Sequence, residues 1–236
     1  MGGLVFAWSG VVVMWLFWIC FVIFLAQPAR LMDWWPLPTI DRGGWVDSTA
    51  ISLITDAALI ALFGLQHSIM ARPSFKHLLG MPEPFERCLF VHMANVALFT
   101  LILLWQPLPA ELWSLPRGWL HDASWALFAA GWVILLLGAH SFGILELLGV
   151  RQMQQWADDR AAAPARLKTG LLYRWLQHPM YVGVLIGVWI TPVMTAGHML
   201  LAAGLTVYVL IGMRYEERDL EMLHGERYLT WRTTRP

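Results

Sequence analysis

Residues 177–219 read QHPMYVGVLIGVWITPVMTAGHMLLAAGLTVYVLIGMRYEERD, and the fold turns on whether this stretch is one helix or two. From Met180 to Met213 there are 34 residues. As a single helix they would extend roughly 50 Å, well beyond a hydrocarbon core of roughly 30 Å. Pro192 has no backbone donor and biases Thr191 away from helical geometry, so a break at Thr191-Pro192 is expected. Two short apolar helices then run down and back as a hairpin. The polar group Gln177-His178-Pro179-Met180-Tyr181 and the polar group Arg214-Tyr215-Glu216-Glu217-Arg218-Asp219 return to one level, where they can share a site.

The composition sets the solvent. The 236 residues are 58% hydrophobic and only 14% charged, with a mean hydropathy of +0.56, whereas a soluble domain carries about 25% charge. The expected fold class is an all-α polytopic integral membrane protein, with residues 1–236 as a single domain. Many of the 15 tryptophans stand at the ends of apolar runs, as interfacial anchors do: Trp8, Trp34, Trp35, Trp45, Trp105, Trp119, Trp125 and Trp175. With 16 basic and 16 acidic residues the chain has no basic face for nucleic acid. Cys20 and Cys88 lie inside apolar runs and read as small hydrophobes. No His or Cys spacing suits a metal. The first run lacks a basic leader and a small-residue cleavage site, and so reads as a retained span.

Working back from the hairpin gives about six transmembrane helices: Trp8–Leu25, Thr49–Gln66, Leu89–Trp105, Ala123–Leu145 (continuing into ELLGVRQMQQW) and the two of the hairpin, spans 5 and 6. The segment from Ala157 to Arg174 is the longest expected soluble loop. Charge gives the orientation. Arg72, Lys76, Arg87, Arg151, Arg160, Arg166, Lys168, Arg174, Arg214, Arg218, Arg227, Arg232 and Arg235 fall on one side, against Arg30, Arg42 and Arg117 on the other. The positive-inside rule then puts both termini in the cytoplasm. Without the break at Pro192 the tail changes side and the bias disappears. Gly138-Ala139 and Gly183 to Gly187 mark close helix packing.

Chemistry-bearing residues gather at the cytoplasmic ends. Pro179 suits a first helical position, and His178 and Tyr181 share a face. The same residues also suit an interfacial capping histidine and a belt tyrosine. Glu216 and Glu217, flanked by Arg214 and Arg218, read either as a salt-bridged helix end or as a ligand site. Their return to the level of His178 favours a site, because ionisable groups at a bundle mouth are costly unless used. His67, closing the second span, is the candidate proton acceptor. Arg72 and Arg151 offer positive potential, although Arg151 also suits an ordinary pair with Glu146. His92 and Asn95 either line a cavity or bond between helices.

QHPMYVG, followed some forty residues later by EERDL, resembles the RHPxYxG…EE signature of the isoprenylcysteine carboxyl methyltransferase superfamily, which includes NnrU-like proteins and the methanethiol S-methyltransferases. QHSIMAR at 66–72, Phe75-Lys76, Glu86-Arg87, ELLGVRQ at 146–152, WITPVMTAGH at 189–198 and IGMRYEERDL at 211–220 resemble the last group. The resemblance implies S-adenosyl-L-methionine as cofactor, methanethiol as acceptor, and dimethyl sulfide as product. It implies that Gln177, His178, Pro179, Tyr181, Glu216 and Glu217 sit at the cofactor, and that Gln152 and Tyr173 line the same mouth. Gln177 stands where the superfamily has arginine, keeping a donor and losing a charge. His67, or a water chain, would take the thiol proton, with Arg72 or Arg151 nearby. Partners would be a small volatile thiol and the bilayer, with no obligate protein, and the place a bacterial plasma membrane. Another thiol or a lipid-borne acceptor, or a non-catalytic NnrU-like role, stays open.

Overall fold

The structure is a computed structural model that describes residues 1–161 and 167–234, so Arg166 and Arg235 of the charge count, and part of the expected 157–174 loop, lie outside the described residues. Its helices, in chain order, are α1 (Gly2–Ala26), α2 (Ala29–Met32), α3 (Thr49–Met70), α4 (Pro73–Leu79), α5 (Glu83–Leu104), α6 (Trp119–Phe142), α7 (Ile144–Leu147), α8 (Val150–Ala157), α9 (Pro179–Trp189), α10 (Ala196–His224) and α11 (Glu226–Thr234). Five of them (α1, α3, α5, α6 and α10) are long and apolar enough to cross a membrane. The chain is a polytopic, all-α integral membrane protein. Helices are the natural form here because each backbone donor finds its acceptor within the segment, as hydrocarbon requires.

Local chemistry sets the boundaries. Gln27 ends α1 in a left-handed conformation (φ 44°), its N–H returning to Ile23, and Pro28 follows. Prolines open α4 and α5, where a missing donor costs nothing. Thr195 caps α10, its hydroxyl accepting from the His198 N–H at 3.3 Å. The fourth expected span does not continue into 146–156. It ends at Gly143 (φ 103°), and Gly149 (φ 84°) separates α7 from α8. These left-handed turns, which favour glycine, bend the chain away from the α6 axis.

The break at Thr191-Pro192 is present. Helix α9 stops at Trp189 after 11 residues, about 16 Å of rise, well short of a membrane core. Residues Val193–Thr195 form β2, antiparallel to β1 (Glu111–Ser114). This short ribbon is an addition to the expected all-α fold. The same end is tied by Asp41: Gln27 Nε2 and Thr195 Oγ1 each donate to its carboxylate at 2.7 Å, joining the end of α1 to the start of α10. Gln106 donates its backbone N–H to Asp56 at 2.8 Å.

The core that positions the site is aromatic. Phe17, Phe21, Phe24, Leu101, Trp105 and Trp132 are buried in one cluster linking α1, α5 and α6. Helices α6 and α9 meet backbone to backbone: a Cβ on Gly183 would stand 2.5 Å from Leu135 N and 2.6 Å from Gly131 O. This is the close packing expected from the glycines. His92 and Asn95 bond between helices, His92 to Ser9 Oγ at 3.1 Å and Asn95 to Gly10 O at 3.2 Å.

Candidate functional site

The hairpin brings its two polar ends together. Helix α9, held flat on α6, presents His178 at its N-cap. Helix α10, 29 residues long and about 43 Å, runs back from the ribbon and delivers Glu216 and Glu217. His178 Nε2 lies 3.2 Å from Glu217 Oε1, and His178 Nδ1 lies 3.6 Å from Glu216 Oε2. A carboxylate on each ring nitrogen suits an imidazolium, since only that form donates from both. Burial presses the His178 imidazole toward its neutral form, but Glu216 and Glu217 together outweigh it and hold the group above its ordinary value.

Gln177 donates to Glu217 Oε1 at 2.9 Å and to the Tyr228 hydroxyl at 2.7 Å. Arg232 Nη2 lies 4.0 Å from Glu217 Oε2, and its Nη1 donates to Glu221 at 3.2 Å. Helix α11 thus folds back on the hairpin, with Tyr228 fully buried. Pro179 is buried at the start of α9, beside Gly138. The Tyr181 ring stacks on His178 at 5.5 Å and lies within electrostatic reach of Glu216. Tyr173, in the 3-10 turn Leu171–Arg174, is buried. Burial first, and then the Glu216 charge, push its phenol up to about 12, so it stays a donor.

A second group adjoins the first through Tyr208. The His67 ring packs against Phe90 at 4.5 Å, Phe63 at 5.5 Å and Tyr208 at 5.9 Å, while Tyr208 also feels the Glu216 charge. His67 Nδ1, Gln66 Oε1 and Gln152 Oε1 are buried with no hydrogen-bond partner. Such groups signal a polar ligand or water. Gln152 Nε2 donates to the Glu146 carbonyl at 3.0 Å, and the Glu146 carboxylate takes Lys168 at 3.0 Å and Arg151 at 3.6 Å. Arg87 donates to the Leu147 carbonyl at 3.0 Å, and its charge reaches His67.

Of the residues singled out from sequence, Gln177, His178, Pro179, Tyr181, Tyr173, Glu216 and Glu217 come together, His67 approaches them through Tyr208, and Gln152 is held on Glu146. Arg72 and Arg151 do not join them. Arg72 lies over the Tyr215 ring at 3.9 Å. Arg151 is 63% exposed and lines a surface cleft with Leu4, Gln154 and Asp158. Sequence reasoning passed over Tyr208, Tyr228, Arg232, Lys168 and Arg87. For Tyr208 a signal existed: with Gly212 and Glu216 it forms a spacing of four along α10.

Comparison with known proteins places this architecture in a class. The phospholipid methyltransferase family model matches residues 123–227, which hold most of α6, all of α7 to α10 and the hairpin. Among curated relatives, the Methanethiol S-methyltransferase of Crocosphaera subtropica is 34% identical over 192 residues, covering 80% of this chain and 75% of the relative. Methanethiol S-methyltransferase 1 of Bradyrhizobium diazoefficiens is 39% identical over 192 residues, covering 80% and 67%. Nurim of Bos taurus is 27% identical over 205 residues, covering 78% and 76%. No solved structure matches the chain. The chain belongs to the methanethiol S-methyltransferase family.

Proposed function

We propose that this chain is an S-adenosyl-L-methionine-dependent thiol S-methyltransferase that converts methanethiol to dimethyl sulfide. The observation that carries the reading is His178 between the carboxylates of Glu216 and Glu217 at the mouth of the hairpin, in a chain of this family. The residues present fit the cofactor. It brings ribose hydroxyls, an adenine amine and an ammonium group, all donors, and the site offers the two carboxylates of Glu216 and Glu217. When bound, it supplies a methyl group on a sulfonium sulfur. Glu216 and Glu217 hold the polar part, with His178, Gln177 and Tyr173 donating, and Pro179 and Tyr181 close its walls. The packed aromatic surroundings of His67 exclude water, so a thiol loses its hydration there. In methyl transfer the new bond from methyl carbon to thiol sulfur would replace the donor's own carbon–sulfur bond, leaving a neutral thioether, and His67 would take the thiol proton at its unpartnered Nδ1. Arg72 and Arg151 act only through long-range potential.

The test is direct. Membranes carrying the protein are given cofactor labelled in its methyl group, together with methanethiol, hydrogen sulfide, a prenylcysteine or phospholipid in separate vessels. Label in headspace dimethyl sulfide is expected. Label in the lipid fraction would move the acceptor to the class suggested by the phospholipid methyltransferase match, and no transfer at all would leave a non-catalytic membrane protein. Glu217→Gln should weaken cofactor binding by roughly 1–3 kcal/mol, the worth of a charged hydrogen-bonded contact, in calorimetry on the solubilised protein. Unchanged affinity in folded Glu217→Gln would return Glu217 to a salt-bridging role.

The same reading gives six crossings, with α9 as the short fifth, one domain over residues 1–236, and both termini in the cytoplasm of a bacterial plasma membrane. Its support is the excess of Lys and Arg around the site and the packing of Gly3 against Met153 of α8, at the level of that site. Reporter fusions after Pro236 and between Val193 and Gly197 should report opposite sides. Two fusions on one side would defeat the arrangement.

A further inference from the structure

Tyr208, Gly212 and Glu216 recur every four residues on α10, which puts them on one stripe of the helix. The Tyr208 ring meets Phe63 at 5.2 Å and His67 at 5.9 Å, and it lies against Gly64, where a Cβ would stand 3.4 Å from Tyr208 Cδ2. Toward the carboxylate end, Tyr208 is within electrostatic reach of Tyr181 and Glu216. Gly212 leaves a notch between Tyr208 and Glu216: a Cβ there would meet the Tyr181 hydroxyl at 3.7 Å. Tyr208 therefore touches the His67 group and faces the field of Glu216 across the Gly212 notch.

On the methyltransferase reading, the methyl group passes between the carboxylate side and the His67 side, and the sulfonium sulfur has to stand where those two sides meet. A sulfonium carries full positive charge yet no N–H or O–H, so a carboxylate cannot hold it by hydrogen bonding. An aromatic face is the side chain suited to such a cation. Glu216, one further turn beyond the notch, adds Coulomb attraction. Once the methyl has left, the sulfur is a neutral thioether and both attractions vanish. We propose that the stripe Tyr208–Gly212–Glu216 seats the sulfonium of the methyl donor, with the Tyr208 ring as its aromatic wall, and that this contact separates donor from demethylated product.

The experiment is binding, not turnover. Affinities of the full chain for S-adenosylmethionine and for S-adenosylhomocysteine are measured by calorimetry in detergent, and their ratio is followed through variants. Tyr208→Leu should shift the ratio against the methyl donor by about tenfold, as for a partly desolvated cation–π contact, while product affinity changes little. Tyr208→Phe should keep the ratio. Fluorinated phenylalanines at position 208 hold the shape while draining the negative face, and serve in case the leucine variant does not fold. With them the ratio should fall as fluorines are added. A ratio that stays constant through the fluorinated series, or equal losses for both ligands in Tyr208→Leu, overturns the proposal and leaves Tyr208 a packing residue. If wild-type protein binds neither ligand, the methyltransferase reading itself falls, and the proposal with it.

Discussion

His67→Ala is expected to lower the rate of methyl transfer by about 10²–10⁴-fold while leaving cofactor affinity near that of the wild type, the usual worth of a general base. The imidazole is packed among Phe63, Phe90 and Tyr208, with Nδ1 buried and unpartnered. A nitrogen in that position is available to a proton that the structure gives it no other reason to meet. The deficit should shrink as pH rises, because more thiol then arrives already ionised and less is asked of the base. The measurement is kcat across a pH series, with cofactor binding checked separately in the same variant. An equal deficit at every pH would assign His67 to packing. Full activity would remove it from the reaction.

Gly183→Val is expected to destabilise the protein by about 3 kcal/mol or more, at or above the usual range for overpacking. The added atoms would press on Leu135 N and Gly131 O, which are backbone and cannot move aside by rotating a side chain. Separation of α9 from α6 would also carry His178 away from Glu216 and Glu217, so cofactor binding should fall together with the melting temperature of the solubilised protein. Gly3→Ala is the control. Its Cβ would meet Met153 Sδ at 2.7 Å, but that is a flexible thioether able to turn away, so the cost should be slight. A Gly183→Val protein that melts like wild type would mean that the helix contact carries no strain.

Elements set by long apolar runs or by a proline were legible in the sequence. The break at Thr191-Pro192 followed from length and from Pro192, and the meeting of His178 with Glu216 and Glu217 followed from the break. Side-chain directions beyond a glycine turn were not legible. Arg151 and Gln152 are adjacent on α8, about 100° apart around its axis, and once the turns at Gly143 and Gly149 have set that helix one reaches solvent and the other is half-buried. Tyr208 was hidden by its company, since an aromatic in an apolar run reads as core until its spacing with Gly212 and Glu216 is noticed. Tyr228 was missed because α11 has little apolar pattern of its own; it is buried by what it packs on. The ribbon of β1 and β2 is too short for an alternation to show.

The length of α10 has a consequence for the lipid. From Ala196, at the ribbon, to Glu216 there are 21 residues, or about 30 Å along the axis, which is the thickness of a typical hydrocarbon core. In the proposed six-span arrangement the helix is a ruler, its zero pinned by Thr195 and Asp41 at one interface and its carboxylates at the other. In a bilayer several ångströms thicker, the helix would have to stand more upright or draw Glu216 and Glu217 into the acyl region, where ionised groups are expensive. On the proposed function, acyl-chain length thereby becomes a variable of cofactor binding, acting through the tilt of one helix.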